Sequence, residues 1–169
     1  KAEANVEPLV RIRFDELVRV AELHVAQATG LALPSNTVVV PVTRGVWARR
    51  SIEAYRPFFE RFGDAIGGGQ MVPPPDAGPA GDPLAMMLGQ LFSSLGPALV
   101  SASAGSMIGH LGQRALGQYD LPVPRSSHDV LVVPSTIDTT ADDWDVPVDE
   151  LRLWILVQEL TTHAVLARP

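Results

Sequence analysis

Hydrophobic residues in this chain recur more often at helical spacing than in alternation. From Phe14 to Thr29, the residues Phe14, Leu17, Val18, Ala21, Leu23, Val25 and Ala28 stand among charges, which predicts an amphipathic helix that Gly30 stops. A second helix is predicted from about Gly45 to Phe62. Its Trp47, Ile52, Tyr55, Phe58, Phe59 and Phe62 form an aromatic stripe expected to be core, and Arg49, Arg50, Glu53, Arg56, Glu60 and Arg61 form a solvated face of paired charges. Two short β-branched runs, Val38 to Val42 and Val130 to Pro134, read as strands. Pro41 cannot donate to a ladder and disfavours a central position for the first. A last helix runs from Leu151 to Ala167.

Between these elements the pattern changes twice. From Gly67 to Pro83 the chain carries Gly67-Gly68-Gly69 and Pro73-Pro74-Pro75, which cannot hold a regular element and predict a flexible loop. The triple glycine lacks the Gly-x-x-x-x-Gly-Lys-Ser/Thr continuation of a phosphate cradle. Leu84 to Gln113 contains no Asp, Glu, Lys or Arg, and a membrane span needs about 20 apolar residues. Gln90, Ser93, Ser94, Pro97, Ser101, His110 and Gln113 break up every long apolar window, so one or two buried helices, interrupted near Gly96-Pro97, are the better reading. The small residues Ala102, Ala104, Gly105, Ser106, Gly109 and Gly112 offer a face for close helix approach or self-association, with His110 expected as a hydrogen-bonded core residue. The fold class is mainly α with a few short β-strands (α+β). Its parts are 1–66, 67–83 and 84–169, expected to form one continuous domain.

Composition narrows the function. The 169 residues are 46% hydrophobic and 19% charged, enough for a real core, and the formal charge of −6 argues against a nucleic-acid groove. With no cysteine, disulfides, thiolate metal sites and cysteine nucleophiles are excluded, leaving His24, His110, His128 and His163 as nitrogen ligands. Asp138, Asp142, Asp143, Asp145, Asp149 and Glu150 cluster without the spacing of a calcium loop. Carboxylates placed before and within the first turn of the last helix explain them electrostatically, with Pro147 suited to the first turn. No Gly-x-Ser-x-Gly elbow supports a serine hydrolase. The chain opens on Lys1 with no signal-peptide pattern and stops at Pro169, so a fragment of a longer, cytoplasmic protein is expected.

Specific elements then carry a resemblance. Val42-Thr43-Arg44-Gly45-Val46-Trp47, the small-residue helix, Leu116-Gly117-Gln118-Tyr119-Asp120-Leu121-Pro122, the strand Leu131-Val132-Val133-Pro134, and Pro147 to Trp154 followed by Gln158-Glu159 are similar, in this order, to the actinobacterial zincin-like metallopeptidase family. Members carry the labels hydrolase and zinc-dependent metalloprotease, and the resemblance implies a mostly helical fold. In the zincin motif His-Glu-x-x-His, two imidazoles at i and i+4 bind zinc and the Glu is the general base. Carried over, those places fall on Gln158, Glu159 and Thr162, and His163 stands one residue late. Glu159 is then a vestigial base and the motif is degenerate. The expectation is a scaffold or binding module for a protein or peptide partner, with no metal cofactor and no hydrolysis. The alternative is an active zinc metallohydrolase that uses His163 and ligands outside this chain. A third possibility at the same helix is a structural Glu159–His163 pair.

Overall fold

A computed structural model describes residues 5–68, 102–120, 125 and 127–167. Helix α1 spans Pro8–Thr29, starting on a proline whose fixed φ suits a first turn and ending where Gly30 takes the left-handed conformation (φ 66°). Its Phe14, Leu17, Ala21 and Val25 are buried at steps of three and four residues. Strand β1, Val38–Pro41, pairs in parallel with β2, Asp129–Val132, in the register Val38↔Asp129 to Pro41↔Val132. Both are edges of a two-stranded sheet, which is why Pro41 is tolerated. Helix α2, Arg44–Gly68, starts after Thr43, whose Oγ1 accepts the Val46 N–H at 3.3 Å. Residues 102–112 are helical (α3). A 3-10 turn, Gln118–Asp120, precedes β2, and β2 leads into α4, Pro134–Trp144, then α5, Val148–Leu166.

The core joins α1, β2, α4 and α5 around Phe14, Val25, Val130, Val132, Ile137, Ile155, Leu156 and Leu160. Two compact units follow from the contacts: Lys1–Ala54 with Gly109–Pro169, and Tyr55–Ile108. The mainly helical fold with one small sheet agrees with the sequence reading. The loop predicted from Gly67 needs correction at its start, because α2 runs on past Phe62 through Gly67 and Gly68; the rest of that loop and the predicted break at Gly96-Pro97 lie outside the described residues. Among the described residues, no helix is long and apolar enough to cross a membrane.

Several expectations need correction. Helix α4 was not foreseen, because Thr136, Asp138, Thr139, Thr140, Asp142 and Asp143 are indifferent helix formers. The acidic cluster is therefore split: Asp138, Asp142 and Asp143 ride on α4, Asp145 ends it with φ 51°, and only Asp149 and Glu150 lie in the first turn of α5. Pro147 is the residue just before that helix. Two of the carboxylates are counter-ions. The Arg152 guanidinium, almost buried, donates to Asp138 at 2.8 Å and Asp149 at 3.2 Å, and lies over the Phe14 ring. Arg13 reaches Asp149 at 2.7 Å and holds its carboxyl below the ordinary value. In the aromatic stripe Trp47 and Tyr55 are buried, but Ile52 and Phe58 are exposed; Ser51 takes an inward place instead and accepts a bond from Arg125. Leu23 and Ala28 of α1 are exposed, as is His110, which is no core residue. The small-residue face is used at Gly112, where a Cβ would meet Ala48 Cβ at 3.3 Å.

Candidate functional site

The buried face of α5 carries two polar residues four apart, Glu159 and His163, which one helical turn places side by side. Both bond to the 3-10 turn rather than to each other. Glu159 Oε2 accepts the Tyr119 backbone N–H at 2.9 Å, and the Tyr119 hydroxyl and His163 Nδ1 share a bond of 2.7 Å. Which atom donates in that second bond depends on the imidazole tautomer. His163 Nε2 is buried and bonds to nothing among the described residues.

Gly117 makes this contact possible. A Cβ at that position would overlap the Glu159 carboxyl group, so only a glycine lets the backbone lie flush against it. The same residue is held from every other side. Its carbonyl accepts the Trp47 indole N–H at 2.8 Å, its N–H reaches Asp120 Oδ2 at 3.3 Å, and it bridges to Val132 beside the sheet. Asp120 Oδ2 also accepts the Leu116 N–H at 2.6 Å, closing the turn on itself. Gln118 Oε1 accepts the Leu131 N–H at 3.2 Å and ties the turn to β2.

Electrostatics follow from the enclosure. Burial pushes the Glu159 carboxyl up to about 8, against the backbone N–H groups of Tyr119 and Gln118, which favour the charged form; Asp120 adds to the upward push. Glu159 therefore carries its proton at neutral pH. Burial also holds His163 below its ordinary value, with His128 a lesser cause, so the imidazole is neutral. A neutral acid beside a neutral base is the usual outcome where charge cannot be solvated.

Of the residues singled out in the sequence, the structure brings together Glu159 and His163 and leaves the other two apart. Gln158 is exposed, and Thr162, partly buried, gives its hydroxyl to the Gln158 carbonyl at 2.9 Å. Among the described residues, no group of three His, Cys, Asp or Glu is placed to hold a metal. Tyr119, Gly117 and Trp47 were not assigned to the site from sequence. The Gly-Gln-Tyr-Asp-Leu-Pro element was the signal that could have found the first two.

A family model described as zincin-like metallopeptidase matches residues 2–168. The chain belongs to that family. The chain is also similar to the crystal structure "of a putative hydrolase with a novel fold" from Chloroflexus aurantiacus, with a TM-score of 0.61 and 22% identity over 96% of this chain and 46% of that one. At that identity the likeness concerns the fold. This chain spans less than half of that protein's length. No curated protein matches the chain.

Proposed function

We propose that this zincin-like chain has given up zinc and hydrolysis and serves as a scaffold or binding module for a protein or peptide partner. The places of His-Glu-x-x-His hold Gln158, Glu159 and Thr162. Zinc selects imidazole, thiolate and carboxylate ligands, and a neutral amide and a hydroxyl already bonded to the helix backbone are poor substitutes. These residues do not fit the metal, so no catalytic step is drawn through it.

The observation that carries the reading is the enclosure of Glu159, which is 1% exposed. A general base must come within about 2.6–3.2 Å of the proton it removes. Here that reach is taken up by the Gly117–Tyr119 backbone, and burial keeps the carboxyl protonated, the wrong state for a base. The former catalytic carboxyl then works as a clasp between α5 and the turn.

The test is hydrolysis of a mixed peptide library, read by mass spectrometry, with wild type and Glu159→Gln compared. No cleavage by either protein is the expected result. Cleavage by wild type that a chelator stops and Glu159→Gln lacks would overturn the proposal.

A further inference from the structure

Helix α1 carries two apolar faces. Phe14, Leu17, Ala21 and Val25 are buried in the core, whereas Leu9, Ile12, Val20 and Leu23 are between 41% and 76% exposed. At 3.6 residues per turn these four fall, with Glu16 among them, within an arc of about 80° on the side of the helix away from the core. A surface helix needs only one apolar stripe, and the second stands open to solvent. Its order is symmetric. Leu9, Ile12, Glu16, Val20 and Leu23 follow at steps of three, four, four and three residues and read apolar, apolar, acidic, apolar, apolar from either end.

We infer that this face is the interface of a two-fold dimer, in which α1 packs antiparallel on α1 of a second copy with Glu16 at the axis. A two-fold interface is self-complementary: where residue i meets j, j also meets i. A stripe that reads the same from both ends meets that condition along a single helix, a symmetry that an unrelated partner would not require. Leu9 then faces Leu23 of the second copy, Ile12 faces Val20, and the converse pairs repeat both contacts. Steps of three and four residues are also the spacing of helices that cross at about 20°. Charge agrees with this arrangement. Glu16 meets its own counterpart at the axis, and Arg13 of the same chain offsets its charge at 2.7 Å. Arg19, with no counter-ion among the described residues, comes within three residues, about 4.5 Å along the helix, of Glu16 of the second copy. The rim mixes Asp15, Glu16 and Glu22 with Arg13 and Arg19, unlike the basic rim of a helix that lies on anionic lipid. Two helix stretches of about 21 Å bury less than the roughly 1,200 Å² of a stable interface, so the dimer is weak, with a Kd on the order of micromolar or above. The interface uses neither Glu159 nor His163 and holds whether or not the chain binds zinc.

The test is sedimentation equilibrium of the whole chain from about 1 to about 500 µM, with single-cysteine cross-linking to read the orientation. Wild type should pass from monomer to dimer in that range. Ile12→Glu sets a charge in an apolar pair and should raise the dissociation constant at least about tenfold with an unchanged circular dichroism spectrum. Trp154→Gln, on an exposed position of α5, should leave the constant as it is. The chain has no cysteine, so Glu16→Cys supplies a single thiol at the axis and should oxidise to a disulfide-linked dimer. Leu9→Cys or Leu23→Cys alone should not, because each stands about 21 Å along the axis from its own counterpart, but the two proteins mixed should cross-link to one another. A monomer throughout the range overturns the proposal, as does a dimer that Ile12→Glu leaves intact or Trp154→Gln abolishes. Cross-linking of Leu9→Cys with itself in preference to Leu23→Cys would overturn the antiparallel arrangement and the proposal with it.

Discussion

Replacing Gly117 by alanine tests the contact between the turn and α5 at its tightest point. The added Cβ would lie 2.5 Å from Glu159 Oε1 and 2.7 Å from its Cγ, closer than real Cβ contacts come. Gly117 is not among the residues with positive φ, so the cost is steric and not a matter of backbone strain. Glu159 has no solvent to retreat into, and any shift lengthens its bond to the Tyr119 N–H. Overpacking costs about 1–3 kcal/mol, and a broken buried hydrogen bond about 1–3 kcal/mol more. The smaller freedom of the unfolded chain returns about 0.4–1 kcal/mol, leaving a net loss of about 1–5.6 kcal/mol. Urea unfolding followed by circular dichroism reads this as a lower midpoint at constant slope. Glu159→Ala removes the obstructing group, so the double variant should fall short of additivity by about 1–3 kcal/mol. A Gly117→Ala protein within about 0.5 kcal/mol of wild type would refute the reasoning.

Two further outcomes follow from the same site. Because Glu159 is raised to about 8 from an ordinary 4.5, the folded chain keeps a proton that the unfolded chain releases. This contribution to stability is full below about pH 4.5 and is lost as pH rises through about 8; the stability of wild type relative to Glu159→Gln should decline across that window, and a flat difference in urea midpoints contradicts it. His163 contributes with the opposite sign, since its lowered value favours folding above about pH 6.5, and the comparison removes it because both proteins share it. Trp47→Phe leaves the buried Gly117 carbonyl without its indole donor and should cost about 1–3 kcal/mol in the same assay; a neutral effect would show that the bond contributes nothing net.

What could be read from the sequence divides along physical lines. The spacing of Phe14, Leu17, Ala21 and Val25 is a local property, and so are the β-branched runs that became β1 and β2; their bounds shifted, since α1 begins at Pro8 and not Phe14, and Pro134 opens α4 instead of closing β2. Periodicity names a face but not its partner, so Phe58 and Ile52 could not be told from Trp47 and Tyr55. Helix α4 escaped because its Thr and Asp residues signal caps and turns, and what makes it helical is tertiary: Thr136, Ile137 and Ala141 pack inward, and Asp138 meets Arg152 on the next helix. At the site, the motif spacing singled out Glu159 and His163, four residues apart. Their partner, Tyr119, lies 40 residues from Glu159 and 44 from His163 in sequence, and no local pattern joins them.

The most direct test of the central claim is the zinc content of purified wild-type protein, measured by elemental analysis beside a Glu159→Ala, His163→Ala double variant. No stoichiometric zinc is expected in folded wild-type protein. Near one zinc per chain in wild type, lost in the double variant, would contradict it and return the α5 face to metal chemistry.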